Sequence, residues 1–222
     1  MVGDFNPDQI FKQVKNSQYE WGKSSSQLAS KEQFVYEKVI PTRSISMDVT
    51  LPKLAIGYRG RRLDYRQSLL RQLLSLKLFF GMLLGWTSET YQTLYELGKI
   101  DDSFDFEIEV HLEFQFLIIS MDTMEPIAMS NRLRLHLKKA LKSRDLSAQH
   151  FQRAKKEMYG EFMRSLNSVD QIASQFIMHL SEIENYLDVP TILMSLDFGD
   201  VLETGKQFLE QSDMTDFIIL PK

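Results

Sequence analysis

The strongest pattern in the chain is a strict alternation from Phe104 to Phe116, where every even position is apolar and every odd position is polar. A period of two is that of a β-strand with one buried face. The segment is longer than the usual strand of about 5–6 residues, so it predicts one long strand or a hairpin. A three-residue loop over Val110 to Leu112 would pair Glu109 with Glu113, whereas a two-residue loop would break the parity, and no glycine supports one. We therefore expect all the phenylalanines to face the helices.

Helical spacing of apolar residues predicts a long buried helix from Leu69 to Leu83. A second helix is predicted directly after it, capped by Thr87 or Ser88 and ended by Gly98, which suits a left-handed residue. Further helices are predicted to start at Asn6–Pro7, Asp122 or Thr123, Ser147, Ser168 and Asp197. The helix after Pro126 is predicted to turn four residues inward: Leu133, Leu137, Ala140 and Leu141.

Three further segments read as strands: Ile45 to Leu51, Leu54 to Tyr58 and Phe217 to Leu220. The resulting order of elements predicts an α+β fold, with helices packed against one face of a mixed, largely antiparallel sheet. The stretch from Tyr19 to Arg43 is polar and has no sustained period, so we interpret residues 1–43 as an N-terminal helix and a connecting arm. Residues 44–222 then form the α+β domain.

Composition narrows the range of functions. The chain has 222 residues, of which 43% are hydrophobic and 25% are charged, which is typical of a soluble globular protein. It contains no cysteine, so disulfides, thiol nucleophiles and thiolate metal sites are excluded. The most apolar run, Leu78 to Trp86, is far shorter than the roughly 20 residues of a membrane helix. Neither terminus resembles a signal peptide, and we expect a cytoplasmic protein with no membrane partner.

The net charge of −4 gives no general attraction to nucleic acid. One region is nevertheless basic, and its cations are Arg132, Arg134, Lys138, Lys139, Lys142, Arg144, Arg153, Lys155 and Lys156. Such a patch can bind RNA or acidic lipid. Its residues interleave with leucines at helical spacing and have no aromatic stacking platform beside them, which favours a solvated helix face. We expect no nucleic-acid partner.

Several short motifs occur in a fixed order. They are Leu94-Tyr-Glu96 followed by Gly98-x-Ile-Asp-Asp-Ser-Phe104, then Met121-Asp-Thr-Met-Glu-Pro126, Phe151-Gln-Arg-Ala-Lys-Lys156, Gly160-Glu-Phe-Met-Arg-Ser-Leu-Asn-Ser168 and the terminal Ile219-Leu-Pro-Lys222. Together they resemble the bacterial insulinase/pitrilysin-type zinc metallopeptidases, which include mitochondrial processing peptidase. The resemblance is to the second, non-catalytic half and covers roughly Asn6 to Lys222. The bacterial branch includes proteins associated with the 5-aminopentanol modification of elongation factor P.

The resemblance implies that each half of such a peptidase is a sheet covered on one face by helices, and that two halves enclose a peptide-binding chamber. The active halves coordinate zinc through His-x-x-Glu-His, whose glutamate polarises a water. This chain lacks that motif, and its nearest fragment, His179-Leu-Ser-Glu182, has Ile183 where the second histidine would stand. His111 and Glu113 share a polar strand face, but two ligands without a third more often mean a solvent-facing edge. We expect no catalytic residue, cofactor or metal here, and zinc only in an upstream catalytic half.

The candidate substrate-binding residues are Tyr91, Tyr95, Asp101 and Asp102, by resemblance. In the family, an arginine and a tyrosine of the non-catalytic half hold substrate, on the helix and turn that correspond to Leu83 to Phe104. Here Tyr95 stands about where the arginine would be, and the two aspartates replace the tyrosine. A carboxylate pair would favour basic peptides. Packing on the sheet is an equal alternative for the two tyrosines.

The sequence therefore predicts the non-catalytic C-terminal domain of a zinc metallopeptidase, which binds peptide substrate and completes the chamber. Its partner would be the upstream catalytic half or a homologous insulinase-like chain. The alternative is a non-enzymatic assembly module that only pairs, as a dimer, with such a homologous chain.

Overall fold

The computed structural model describes residues 2–21, 37–64, 66–179 and 184–222. Its helices are α1 (Pro7–Trp21), α2 (Leu69–Leu84), α3 (Glu89–Glu96), α4 (Pro126–Lys138), α5 (Ala148–Ser165), α6 (Val169–Met178), α7 (Val189–Ser195) and α8 (Phe198–Gln211). Its strands are β1 (Thr42–Met47), β2 (Lys53–Gly60), β3 (Asp105–Val110), β4 (Gln115–Asp122) and β5 (Asp213–Pro221). Most of the predicted connecting arm and most of the fragment His179 to Ile183 lie outside the described residues.

The strands form one sheet in the order β1-β5-β2-β4-β3. The pairs β2–β4, β2–β5 and β3–β4 are antiparallel, and β1–β5 is parallel. The predicted α+β fold with a mixed, largely antiparallel sheet is therefore confirmed. The segment predicted as the last strand lies inside the sheet, between β1 and β2, rather than at an edge. The boundary predicted at residue 43 stays a prediction, and β1 begins at Thr42.

Polar side chains start most of the helices. The residues Ser68, Ser88, Ser147, Ser168 and Asp197 each accept a hydrogen bond from the backbone amide three residues on. Such a bond satisfies one of the amides that a helix start leaves free. Gly98 ends α3 with a φ of 61°, in the left-handed region that glycine adopts at low cost. The predicted caps at Ser88, Ser147, Ser168 and Asp197 and the glycine stop are confirmed. The start predicted at Asp122 or Thr123 is wrong, because α4 begins at Pro126 and its N-cap, Glu125, makes no side-chain capping hydrogen bond.

Helix α2 forms the centre of the core, where Phe79 and Phe80 are fully buried. It packs against α8 at Gly205, and a Cβ built on that glycine would lie 2.3 Å from Phe79 Cγ. The ring of Phe80 meets that of Phe208 edge to face at 5.7 Å.

In the described part of the chain no single helix has the length and apolarity to cross a membrane, although α2 and α3 together pass that test as a bent pair.

The long alternating segment is a hairpin, but its loop is not the predicted one. The loop spans His111 to Phe114, and Val110 pairs with Gln115. Because paired residues point to the same side of a sheet, this register joins even positions of β3 to odd positions of β4. Phe114 and Phe116 therefore face away from the helices, and Leu117 is the buried residue. The expectation that every phenylalanine faces the helices was wrong.

Two other sequence predictions need correction. Leu141 is 51% exposed, because α4 ends at Lys138 and a 3-10 turn over Ala140–Lys142 breaks the helical spacing. The strand predicted from Ile45 to Leu51 stops at Met47. Helix α7 was not predicted; its seven residues are too few for a clear apolar period, and Val189 and Leu193 are its buried residues.

Candidate functional site

The two faces of the sheet differ in their cover. The helix-facing row is buried and comprises Leu54, Ile56, Tyr58, Ile108, Leu117, Ile119, Met121 and Ile218. The alternate residues of the same strands are exposed or only half-buried. We call these residues the outer sheet face: Ile45, Ala55, Gly57, Phe116, Ile118, Thr215, Phe217 and Ile219. The named residues are mostly apolar, although they are not part of the core. The polar and charged residues of the same rows are Lys53, Arg59, Ser120, Asp122 and Asp213.

A shallow basin of about 430 Å³ lies on the outer sheet face. Its wall is formed by Phe114 and Phe116, whose rings stack at 5.9 Å, and by Ile118, which is 37% exposed. Gly57 leaves room in the floor, because a Cβ there would lie 3.1 Å from Thr215 Cγ2. The basin can therefore accept an apolar side chain.

Charged groups border the basin on two sides. Arg59 pairs with Asp213 at 3.1 Å and also donates to the backbone oxygen of Glu37 at 2.8 Å. On the other side, the outward row of β3 carries Asp105, Glu107 and Glu109, and Glu107 and Glu109 pair directly with Ile118 and Phe116 of β4. A line of carboxylates on β3 thus borders the apolar basin of the outer sheet face.

The predicted tyrosine pair lies beside the start of β3. Tyr91 is half-buried, and its ring meets Phe104 edge to face at 5.6 Å. Tyr95 stacks on Tyr91 with 5.9 Å between ring centroids and an interplanar angle of 11°, and it is 51% exposed. Tyr91 therefore packs, while Tyr95 presents one side of its ring to solvent. Contact of either ring with substrate stays a prediction.

Asp101 is held within its own turn. Its Oδ1 accepts from both the backbone amide and the hydroxyl of Ser103, and that hydroxyl oxygen in turn accepts from the backbone amide of Asp122 at 2.8 Å. The side-chain hydrogen bond from Ser103 is the main reason that the pKa of Asp101 lies below its ordinary value. The turn borders the outer sheet face where Lys53 pairs with Asp122 at 2.8 Å. Asp102 is exposed on the same turn.

The histidines lie in separate polar contacts. His111 Nε2 is 3.4 Å from Glu109 Oε2, rather than beside Glu113, which pairs with Arg62 at 3.2 Å. The candidate pair of His111 and Glu113 is therefore not formed. Within residues 2–21, 37–64, 66–179 and 184–222, no three histidine, aspartate or glutamate side chains converge as a metal site would require.

Sequence reasoning missed the basin because it assigned Phe114 and Phe116 to the core. A signal for it was present in the run Phe116-Leu-Ile-Ile119, which is apolar at odd and even positions alike. Such a run predicts a strand with apolar residues on both faces. One of those faces packs under the helices, and the other forms the basin.

Comparison with known proteins gives consistent matches. Residues 1–158 match the sequence family described as the Peptidase M16 inactive domain. The chain is 27% identical over 225 residues to the uncharacterised zinc protease YmfH of Bacillus subtilis (strain 168), in an alignment that covers 100% of this chain and 52% of YmfH. The chain thus spans about half the length of that curated relative.

Solved structures of low sequence identity share the fold. An M16-like peptidase from Alicyclobacillus acidocaldarius matches with a TM-score of 0.77 at 19% identity, over 98% of this chain and 52% of that one. The inactive peptidase domain of a zinc protease from Bordetella parapertussis matches with a TM-score of 0.61 at 13% identity, over 80% of this chain and 96% of that one.

Proposed function

The chain belongs to the family of M16 peptidase inactive domains, and from this we propose that it is the non-catalytic half of a zinc peptidase and binds the peptide substrate. The observation that carries the proposal is the outer sheet face, an apolar surface on a sheet whose other face is fully packed. Large exposed apolar surfaces on folded domains mark binding sites. In the whole protein this face lines the chamber opposite the catalytic half.

The composition of the face defines the peptides that fit it. The basin formed by Phe114, Phe116 and Ile118 takes one apolar side chain. The carboxylates of Asp105, Glu107 and Glu109 lie beside it and attract cationic side chains. Charge complementarity of this kind contributes more to specificity and association rate than to affinity. The preferred substrate is a peptide in which an apolar residue adjoins lysine or arginine.

Zinc and the catalytic water belong to the upstream half in this proposal. The chain's part in the reaction is to hold the peptide and to exclude water from the chamber. The turn with Asp101 and Asp102 lies at the border of the outer sheet face and extends the peptide contact, and Tyr95 adds an exposed ring at the end of α3 that precedes this turn. Because Asp101 is already bonded to Ser103, Asp102 is the freer carboxylate of the two.

The test measures binding of a fluorescein-labelled peptide of phenylalanine and arginine residues to the full-length parent by fluorescence anisotropy. Ile118→Asp places a charge in the basin, and Ile127→Asp is its control on the 69%-exposed side chain of α4. Glu107→Lys reverses the carboxylate row, and Glu210→Lys is its control on α8. We expect Ile118→Asp and Glu107→Lys to weaken peptide binding, and we expect the controls Ile127→Asp and Glu210→Lys to leave it unchanged. Equal binding by all four variants with unchanged melting temperatures overturns the proposal.

An assembly module is the second candidate, because an apolar sheet face also suits pairing with a homologous chain. In that case the parent gene would lack His-x-x-Glu-His upstream. Sedimentation velocity separates the two candidates: Ile118→Asp would then dissociate a dimer, whereas in a peptide-binding half it leaves the assembly unchanged.

A further inference from the structure

A basic groove lies on the helix side of the molecule. Its five cations come from α4, the 3-10 turn after it, the following loop and α5, and they are Arg132, Lys139, Lys142, Arg144 and Arg153. The groove consists of two adjoining depressions of about 490 and 220 Å³, which share Arg144 and Asp145. It is therefore longer than a compact pocket, and cations follow it from end to end.

The charge of the groove is opposite to that of the whole chain. Its acidic residues are Glu89, Asp145 and Glu157, so five cations against three acids leave +2, whereas the chain carries −4. Asp145 is buried and accepts from the Glu89 amide at 2.9 Å, and Glu157 accepts from the Trp86 indole at 3.3 Å. These two acids are thus occupied by internal contacts.

The five cations differ from Asp145 and Glu157, which are held by internal hydrogen bonds. Across the four described ranges, no ion pair within 4.0 Å includes any of the five. All five are exposed. Their charge is therefore available to a ligand.

The groove is separate from the outer sheet face. Ser130 and Arg134 of α4 point to the sheet, where they donate to Asp216 Oδ2 at 2.8 and 3.2 Å. Arg132 and His136 lie on another side of the same helix, Lys139 directly follows its end, and all three line the groove. Thr90 of α3 faces them, with its Oγ1 3.2 Å from His136 Nε2. A ligand in the groove leaves the outer sheet face free.

We propose that the basic groove docks an extended acidic segment of a partner protein. Its elongated shape fits an extended chain, and its uncompensated cations fit carboxylates. Leu135 lines the groove and is 52% exposed, so the partner segment carries an apolar residue among its acids. Among the described residues that line the two depressions, His136 and His150 carry the only rings, so these residues offer nucleobases no aromatic stacking platform.

The experiment uses the full chain and a fluorescein-labelled peptide of glutamate and leucine residues, with anisotropy measured at low and moderate salt. The test variant combines Lys139→Glu with Arg144→Glu. The control combines Lys138→Glu with Lys156→Glu, which makes the same change in net charge at exposed residues outside the groove. We expect the test variant to weaken binding about tenfold, or roughly 1.4 kcal/mol, and the control to weaken it far less. Salt should also weaken binding by the unmodified chain.

Three outcomes overturn the proposal. The first is equal loss in the two double variants, which would make the attraction a general effect of charge. The second is binding of single-stranded RNA or inorganic polyphosphate that exceeds binding of the peptide and is lost in the test variant. The third is no binding of the peptide at low salt by a chain whose melting temperature is normal.

Discussion

The two strands of the β3–β4 hairpin pair along one ladder, but they differ in how apolar and polar residues are distributed between their two faces. β3 follows strict alternation, with Ile108 buried and Glu107 exposed on the other face. In β4 the neighbours Leu117 and Ile118 are both apolar, although Leu117 is fully buried and Ile118 is 37% exposed. The core explains the apolar residues of β3, but only three of the five in β4: Leu117, Ile119 and Met121. The other two, Phe116 and Ile118, lie on the outer sheet face, which is the surface that we propose binds peptide.

The test with the largest expected effect on stability places a carboxylate on each face of β4 in turn. Leu117→Asp buries an unpaired charge, which costs several kcal/mol, a large part of the stability of a domain, and we expect the chain to unfold. Ile118→Asp should fold with little change in melting temperature. Circular dichroism during heating measures both. Similar melting temperatures for the two variants would mean that the strand faces have been assigned wrongly.

A second test asks how tightly the covered side is packed. Gly205→Ala adds a methyl group 2.3 Å from Phe79 Cγ, and we expect a loss of about 1–3 kcal/mol from overpacking. Gly81→Ala is the matched control, because nothing lies within 4 Å of its added Cβ and alanine favours a helix by about 0.5–1 kcal/mol. Urea denaturation should give changes of opposite sign. A stabilising Gly205→Ala would contradict the close contact between α2 and α8.

Tyr91 and Tyr95 differ in the same respect, because Tyr91 packs against the domain and Tyr95 is exposed. Tyr91→Ala removes a half-buried ring that contacts Phe104, and about 1–2 kcal/mol should be lost, less than for a fully buried aromatic side chain. Tyr95→Ala should cost less stability and should weaken peptide binding to the parent protein. The two properties are measured on the same preparations by urea denaturation and anisotropy. If Tyr95→Ala is the more destabilising change and binding is unaffected, both rings serve packing alone.

The smallest expected effect depends on pH. Hydrogen bonds from Ser103 hold the pKa of Asp101 below its ordinary value, so the charged carboxylate favours the folded state. That stability is present above the pKa of the unfolded chain and is lost as the pH falls through the lower, folded value. The difference in melting temperature between the parent sequence and Ser103→Ala should therefore shrink below about pH 4. A difference that stays constant from pH 7 to pH 3 would contradict this account.

Most of the fold followed from local pattern, because its causes are local. The capping side chains at Ser88, Ser147 and Asp197 lie next to the amides that they bind, and Gly98 adopts its conformation within its own turn. The predicted resemblance to the non-catalytic half of a zinc peptidase is confirmed at the level of the inactive-domain family.

The candidate site was less predictable, because it depends on a count of loop residues. The loop has four residues, His111–Phe114, where three were predicted, and this one extra residue exchanges the two faces of β4. No glycine in the loop indicates its length. The basic groove likewise unites residues from α3, α4 and α5 whose proximity arises only from tertiary packing.

The position of β5 between β1 and β2 has a consequence for how the chain folds. β1 has β5 as its sheet partner, so this early strand cannot pair until the much later strand β5 has been synthesised. Contacts between residues so distant in sequence close slowly, because the entropy of a large loop is lost before any contact stabilises it. Meanwhile the apolar edge of β2 that will receive β5 is open to other chains. Completion of the sheet is therefore late, and the interval before β5 pairs is when aggregation competes with folding.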